Sequence, residues 1–524
     1  MKPTLRLYSD HIILAVLGVL SYALFFYGLG GIGLVGPDEP RYAAVAREML
    51  TTGDYITPRL YGMPWFEKPP LMYWLAAAGY KLFGVNEAGA RFPSALSATI
   101  CIFLIYWCGR KLWDRASGFL ATLVAATSIG SFAFARAASM DMLLTACLTA
   151  ALVFFLFAFN DAAPRRRLWL CTAYASLGFG VLAKGPIALV LPGLSLGGFV
   201  LLRGRREEWR EWYPAGLWIT FGVAAPWYLL CTIPNGWQFL QTFFMSHNVE
   251  RFVSTIFGHD RSLFFFFPVL LLLTFPWTFL LISAARRTFG RNDHLLLWWA
   301  AVPFVFFSFS GSKLPGYILP MVPPLALLIG KELLQPASRV YRVAVFIEAG
   351  TMAFIGVAFG FFGNTLNVDA HVSGTLILAI TFGMAVTLTV LALFFDPLVL
   401  AAFNATAIVA LVVTAATIVF PRFDVTDTMR PWQTALRQLV RDDEMVVMYK
   451  PARWAEYGLQ YYRSNRVRSV FSPEELTDVT RTGTRVLCIS DDKTLREVSH
   501  VPALDLEVVH AIGNYTAFWI WQVR

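Results

Sequence analysis

Apolar runs recur along this chain from His11 to Pro421, and they constrain the fold more than any other feature. Each is about 20 residues long, enough to cross a hydrocarbon core roughly 30 Å thick. Inside such a core a backbone must satisfy its own hydrogen bonds, so each run is predicted to be a helix. Composition agrees, since 57% of the 524 residues are hydrophobic and only 15% are charged. An ordinary soluble domain carries roughly 25% charged residues. The chain therefore reads as a polytopic α-helical membrane protein of about 13 transmembrane helices. Their centres lie near Val19, Leu104, Leu123, Val153, Leu177, Leu194, Val223, Leu271, Val302, Leu325, Ile355, Gly383 and Ala410. The first run, residues 11–35, follows Lys2 and Arg6 but outlasts the apolar core of a signal peptide. It meets no small-x-small cleavage site before Gly36 and is predicted to remain as the first span.

Loop charges orient these spans. With the N-terminus inside, the inner segments collect Lys2 and Arg6; Arg110, Lys111 and Arg115; Arg165, Arg166 and Arg167; Arg203, Arg205, Arg206 and Arg210; Arg286, Arg287 and Arg291; and Lys331, Arg339 and Arg342. Those are eighteen basic residues in short loops, whereas the outer segments before Pro421 hold eleven, six of them in the long first outer loop. Basic residues in short loops mark the cytoplasmic side. The net charge of +9 is thus a topology signal; no basic cluster interleaved with aromatics supports a nucleic-acid partner. Thirteen spans leave the C-terminal region outside, in the periplasm of a Gram-negative bacterium. Five of the six cysteines fall in apolar runs and Cys488 in the tail, with no CxxC, so all are expected to be buried free thiols.

Residues 1–421 form the predicted transmembrane domain, with the first outer loop at about 36–91. From 422 to 524 the texture changes. Short apolar runs (445–449, 485–490, 505–510, 515–523) alternate with helix-compatible stretches (431–441, 473–480), which predicts a small α/β domain on the outer side.

The first outer loop concentrates Asp38, Glu39, Arg41, Glu67 and Lys68. Asp38 suits the N-cap of a helix over 39–50, with Pro40 in its first turn. Tyr42, Val45, Ala46 and Met49 make the apolar stripe of an interfacial helix. An ordinary cap on an amphipathic connector explains the same pattern. Glu67-Lys68 before Pro69-Pro70 reads as a ligand-positioning pair or as a surface ion pair ahead of a stiff turn. Asp141, after Arg136 at the outer junction of the third and fourth spans, and Lys184, at the outer end of the fifth, are charges at a depth that is costly unless they are paired or wetted. Snorkelling is the alternative for Lys184. Residues 234–262 hold His247, Glu250, Arg251, His259, Asp260 and Arg261, histidines near carboxylates without an established metal spacing. Ser310-Gly-Ser-Lys313-Leu-Pro315-Gly-Tyr317 places a lysine and a tyrosine in a proline-bent re-entrant turn that suits a phosphate, or simply connects two helices.

These candidates share the outer side. Arg41, Lys68, Lys184 and Lys313 suit an anion, with Arg251 a further phosphate candidate; Asp38, Glu67 and Asp141 suit proton handling or sugar orientation. A P-loop, a GxGxxG after a strand and an Asp-x-Asp are all missing. A donor used outside the cell must be activated without soluble nucleotides, and a lipid phosphate meets that need.

The first-loop pattern GPDEPRY…REML…GD…TPRL…FEKPPLMYW, the Ala183-Lys184-Gly185-Pro186 turn and the SKLPGYILP turn resemble the lipid-linked 4-amino-4-deoxy-L-arabinose (lipid A) transferases, relatives of the protein O-mannosyltransferases. The resemblance implies a C-type glycosyltransferase (GT-C) fold and a sugar carried on undecaprenyl phosphate. It implies that Asp38, Asp141 and Lys68 are catalytic and that Arg41, Lys184 and Tyr317 contact the lipid phosphate. It implies a divalent metal such as zinc on Glu67 and His247, and no other cofactor. The expected reaction is an inverting transfer of aminoarabinose to a lipid A phosphate, carried out by a monomer at the periplasmic face of the inner membrane. The alternatives are another lipid-linked sugar moved to protein or glycan hydroxyls, and a lipid flippase. A flippase calls for inverted repeats and midplane charges; no repeat is seen, and Glu348 is the exceptional charge inside a run.

Overall fold

The computed structural model of the protein describes residues 9–160, 165–202, 216–250, 261–286, 290–362, 374–481, 485–501 and 504–522. Each of the thirteen predicted span centres falls on a helix. Helix α1 (Asp10–Ser21) runs through a π turn to Phe26. The predicted first span extends to residue 35, but the helix stops nine residues short of it. Gly28 takes φ +62, and Gly30, Gly31 and Gly33 follow, giving the backbone too much freedom to stay helical. The first outer loop then folds as α2 (Asp38–Thr52), a short hairpin of β1 (Arg59–Leu60) and β2 (Met63–Pro64), and α3 (Leu71–Phe83).

The helical body comprises α4 (Glu87–Leu112), α5 (Arg115–Thr127), α6 (Ile129–Ala135), α7 (Met140–Asn160), α8 (Arg165–Lys184), α9 (Ile187–Leu202), α10 (Leu217–Leu240), α11 (Phe266–Thr274), α12 (Leu280–Ala284), α13 (Arg291–Ser308), α14 (Val322–Glu332), α15 (Arg339–Phe362), α16 (Gly374–Phe394) and α17 (Pro397–Thr414). Leu, Phe, Ala and Val from most of these close one continuous apolar core. Among the described residues, five helices are long and apolar enough to cross a membrane unaided. The α5–α6 pair, bent by 62°, makes a sixth if it counts as one span, and the remaining apolar helices are shorter.

Ion pairs sort the helix ends. Asp10, at the start of α1, meets Arg110 at 2.8 Å and Arg115 at 3.1 Å. Lys331 pairs with Asp293 at 2.8 Å and lies over the Trp113 ring. Lys111 lies over Phe157 and Trp169, which joins the ends of α4, α7 and α8. Four of the residues assigned to inner loops, Arg110, Lys111, Arg115 and Lys331, thus meet at one end of the body. The first outer loop and the C-terminal unit occupy the other.

That unit follows α18 (Phe420–Asp427), which carries the chain past residue 421 without a break, and α19 (Arg430–Leu439). Its sheet has strand order β4-β3-β5-β7-β6, with β3 (Val446–Tyr449), β4 (Val467–Val470) and β5 (Val486–Asp491) parallel, and β6 (Leu504–Ile512) and β7 (Tyr515–Gln522) antiparallel. β3 is buried along its whole length, as a central parallel strand should be. The crossovers contain α20 (Arg453–Tyr462) and α21 (Pro473–Thr480), and α22 (Asp492–Val498) follows β5. The sequence reading passes over α20, β4 and α22. The six cysteines are free; Cys101, Cys108, Cys231 and Cys488 are buried and Cys147 and Cys171 half-buried.

Candidate active site

The first cluster forms on α2. The helix starts at Asp38, not after it, with Pro37 as its cap residue and no side-chain cap bond. The expected N-cap role is therefore corrected: the Asp38 carboxylate pairs with Arg41 one turn later. The buried face of the helix is wider than the predicted stripe. Tyr42, Val45, Ala46 and Met49 are buried, and so are Ala43 and Ala44, because α3, α4 and α20 of the C-terminal unit enclose α2.

Arg41 also donates from Nη1 to Glu67 Oε2 at 3.2 Å and from Nε to the Pro37 carbonyl at 3.0 Å. Its guanidinium lies 5.6 Å from the Trp65 ring and 5.2 Å from that of Tyr457 on α20. Lys68 Nζ stands 3.6 Å from Glu67 Oε1. Glu67 and Lys68 are no surface pair: their side chains are 10% and 12% exposed, against 51% for Asp38. Asp38 is thus the carboxylate of the cluster that stays open to a ligand. Burial disfavours the Arg41 charge, but Glu67 and then Asp38 more than offset it, so the guanidinium is held above its already high range and stays cationic. The Tyr42 and Tyr73 hydroxyls are pushed up by burial and by Glu67, so both stay neutral.

The second cluster joins three distant stretches. Asp141 lies in the first turn of α7. Lys184 ends α8, where Gly185 at φ +84 turns the chain away. Lys184 donates to Asp141 Oδ1 and lies 4.8 Å from the centre of the Tyr317 ring. A Cβ on Gly316 would fall 2.6 Å from Asp141 Cγ, so the glycine lets this backbone rest on the carboxylate. The Lys184 side chain is paired and 15% exposed. The expected re-entrant turn is instead a 3-10 segment, Pro315–Met321, that runs straight into α14. Lys313 is buried and donates to the Ser310 carbonyl of its own loop at 2.7 Å.

Glu39 joins the two clusters. Its carboxylate accepts from Arg91 Nε at 3.0 Å and Nη2 at 2.7 Å, from the Val35 amide at 2.7 Å and from the Ala138 amide at 2.6 Å. The neighbour of Asp38 is thereby bonded to the backbone three residues before Asp141. Tyr42, Met140, Leu143 and Ala183 share one apolar cluster beneath both sets of charges. Sequence reasoning noted Glu39 without giving it a role and missed Arg91 and Tyr457. Arg91 did carry a signal, since a cation at the start of an apolar run needs a partner.

Two predicted residues are not placed: Arg251 and the His247 side chain lie outside the described residues. The segment that carries His247, Gln241–Glu250, follows α10, and Phe239 meets Phe66, next to Glu67, at 5.2 Å. Among the described residues no group of three His, Cys, Asp or Glu side chains surrounds a metal position. Glu67 faces Arg41 and Lys68 with its two oxygens, so a metal held on Glu67 would compete with both ion pairs.

Residues 67–230, which include Glu67, Lys68, Asp141 and Lys184, match the family described as dolichyl-phosphate-mannose-protein mannosyltransferase. The chain is 32% identical over 352 residues to an undecaprenyl phosphate-alpha-4-amino-4-deoxy-L-arabinose arabinosyl transferase 2 of Pseudomonas fluorescens, an alignment covering 65% of this chain and 59% of that protein. It is 34% identical over 334 residues to the transferase of the same description from Pectobacterium carotovorum, covering 62% and 60%. The chain thus spans about three fifths of the length of the curated relatives it matches. The structure of ArnT from Cupriavidus metallidurans bound to undecaprenyl phosphate aligns with a TM-score of 0.80 over 97% of both chains at 23% identity. The archaeal oligosaccharyltransferase AglB from Archaeoglobus fulgidus aligns with a TM-score of 0.53 over 92% of this chain and 69% of that one, at 14% identity. The fold is the C-type glycosyltransferase fold, and the resemblance seen in the loop motifs is the one these comparisons return.

Proposed function

We propose that this chain is an inverting glycosyltransferase that moves 4-amino-4-deoxy-L-arabinose from undecaprenyl phosphate to a lipid A phosphate. On this reading thirteen spans place both charge clusters and the C-terminal unit on the periplasmic face of the inner membrane. One observation carries the proposal: Asp141, Lys184 and Tyr317 meet, although 176 positions separate the first from the last. Glu39 ties that meeting point to the open carboxylate of Asp38. The transferase names of the curated relatives favour chemistry over lipid translocation.

The bond from C1 of the sugar to the donor phosphate breaks, and its electron pair goes to the phosphate oxygen. Charge grows on that phosphate as the bond stretches, so cations beside it stabilise the transition state more than the bound donor. Arg41, Lys184 and the Tyr317 hydroxyl fill this role. Before the donor arrives, Asp38, Glu67 and Asp141 hold Arg41 and Lys184 in place, so little reorganisation remains for the reaction step. A lipid A phosphate oxygen attacks C1 from the opposite face. This nucleophile is already anionic, and Asp38 orients the sugar or the acceptor.

The mannosyltransferase likeness of residues 67–230 favours a second reading, in which a protein hydroxyl is the acceptor. Asp38 would then accept the hydroxyl proton as general base. Purified protein given undecaprenyl-phosphate aminoarabinose, lipid A and a serine-rich peptide separates the two. Aminoarabinose on lipid A supports the first reading, aminoarabinose on peptide the second, and intact donor sinks both.

A further inference from the structure

Between α1 and α2, residues 28–35 have no regular secondary structure, yet arginines from three parts of the chain hold their carbonyls. Arg136 donates to the carbonyls of Tyr27 at 2.8 Å and Gly28 at 2.9 Å. Arg91 takes those of Leu29 at 3.0 Å, Ile32 at 2.7 Å and Gly33 at 2.7 Å. Arg430, at the start of α19, takes those of Gly30 at 2.9 Å and Gly31 at 3.0 Å. Asp424 on α18 accepts the Gly33 amide at 2.6 Å and also holds Arg430 Nε at 2.7 Å. The Leu34 amide donates to the Tyr462 hydroxyl at 3.0 Å.

Asp424 lies in the last turn of the apolar helix that runs unbroken from Pro397 to Asp427, and Arg430 and Tyr462 follow it, so the C-terminal side of the chain supplies part of this clasp. Space is tight there as well. A Cβ on Gly33 would lie 2.5 Å from Thr428 Oγ1 and 2.9 Å from Asp424 Oδ1, so no side chain fits without displacing the clasp. The clasped segment leads within a few residues to Pro37, whose carbonyl holds Arg41, and to Asp38.

We propose that Arg430 and Asp424 are positioning residues for the transfer reaction. By clasping the glycine-rich segment from the C-terminal side, they set where Asp38 and Arg41 stand relative to the donor phosphate. Neither side chain touches substrate; they act through the backbone of residues 30–33. The inference rests on the transferase reading above. It predicts that Arg430 and Asp424 are needed for turnover even when donor binding is intact, because small displacements of a reacting group cost rate before affinity.

The test compares full-length R430Q, R430K and G33A with K450Q, which breaks an exposed ion pair to Glu497 within the C-terminal unit. Three quantities are read: kcat and KM for undecaprenyl-phosphate aminoarabinose, the unfolding temperature, and amide exchange at Gly33 and Leu34. R430Q and G33A are expected to lower kcat about ten- to a hundredfold with donor KM unchanged, and to speed exchange at both amides. R430K is expected to recover part of the rate, and K450Q to match the parent. Wild-type kcat in a folded R430Q or G33A protein overturns the proposal, and so does a rate that merely follows the folded fraction. Should R430Q fail to fold, G33A and R430K decide by the same readouts. If the parent protein transfers no aminoarabinose, the transferase reading fails on its own. The clasp is then judged by exchange alone: faster exchange at Gly33 in R430Q supports it, and unchanged exchange sinks it.

Discussion

Replacing Lys184 with glutamine is the sharpest perturbation of the second cluster. The change keeps most of the volume, leaves the Tyr317 ring in place and removes one charge. Two independent magnitudes bear on the outcome. A cation about 4 Å from a phosphate oxygen, at an effective dielectric constant of about 20, contributes about 4 kcal/mol. Removing one preorganised donor from a developing oxyanion costs about 2.7–4 kcal/mol, or a hundred- to a thousandfold in rate. The two agree, so K184Q is expected to lose about two to three orders of magnitude in kcat. Most of the loss belongs to kcat, because the donor phosphodiester carries one negative charge when bound and gains the second only as the sugar departs.

Stability moves separately. Asp141 is 20% exposed and loses its partner, a case between a surface pair and a buried one. The cost should be about 2 kcal/mol. The double variant K184Q/D141N removes both charges, so it should regain that stability while staying as slow as K184Q. The assay is single-turnover transfer in detergent with lipid donor and lipid A, followed by mass spectrometry, alongside thermal unfolding. K184Q transfer at the wild-type rate, or a double variant that recovers rate along with stability, would refute the reasoning.

Other outcomes follow from the same geometry. Y317F keeps the ring under Lys184 and removes only the hydroxyl, so its kcat should fall less than that of K184Q while the unfolding temperature holds. D38N should slow transfer modestly to a phosphate acceptor and severely to a hydroxyl acceptor; equal losses on both would contradict the assigned role. E67Q leaves Arg41 and Lys68 without the buried carboxylate they share and should destabilise the protein by about 3–5 kcal/mol, read by denaturant or thermal unfolding. Y457A removes an aromatic face from Arg41, worth about 1 kcal/mol, and should raise the donor KM, whereas Y457F should not. For topology, a cysteine placed at Ser472, at the cap of α21, should react in intact spheroplasts with a maleimide that cannot cross the membrane; protection until lysis would invert the proposed orientation.

The helical body was legible because long apolar runs admit few other folds, and each predicted centre lies on a helix. The end of α1 was misread because hydropathy cannot distinguish a helix from a glycine-rich coil that arginines hold by its carbonyls. Asp38, Arg41, Glu67 and Lys68 were found together because they are close in sequence, but the burial of Arg41, Glu67 and Lys68 was not foreseen. Part of it comes from α20, whose Tyr457 covers Arg41 and carries no sign in the sequence that it packs there. The meeting of Asp141, Lys184 and Tyr317 was suggested only through resemblance, since no local pattern links residues so far apart. Glu39–Arg91 and Asp424–Arg430 were invisible for the same reason: each pairs an ordinary-looking charge with backbone groups from another part of the chain.

The account stands on a lipid-phosphate donor that gives up its sugar between the two charge clusters. The most direct measurement incubates the purified protein with undecaprenyl-phosphate aminoarabinose and lipid A and identifies both products by mass spectrometry. The account predicts lipid A carrying aminoarabinose on a phosphate, matched by an equal amount of free undecaprenyl phosphate, with both products lost in K184Q. Donor recovered intact beside unmodified lipid A, or products that persist undiminished in K184Q, would contradict it.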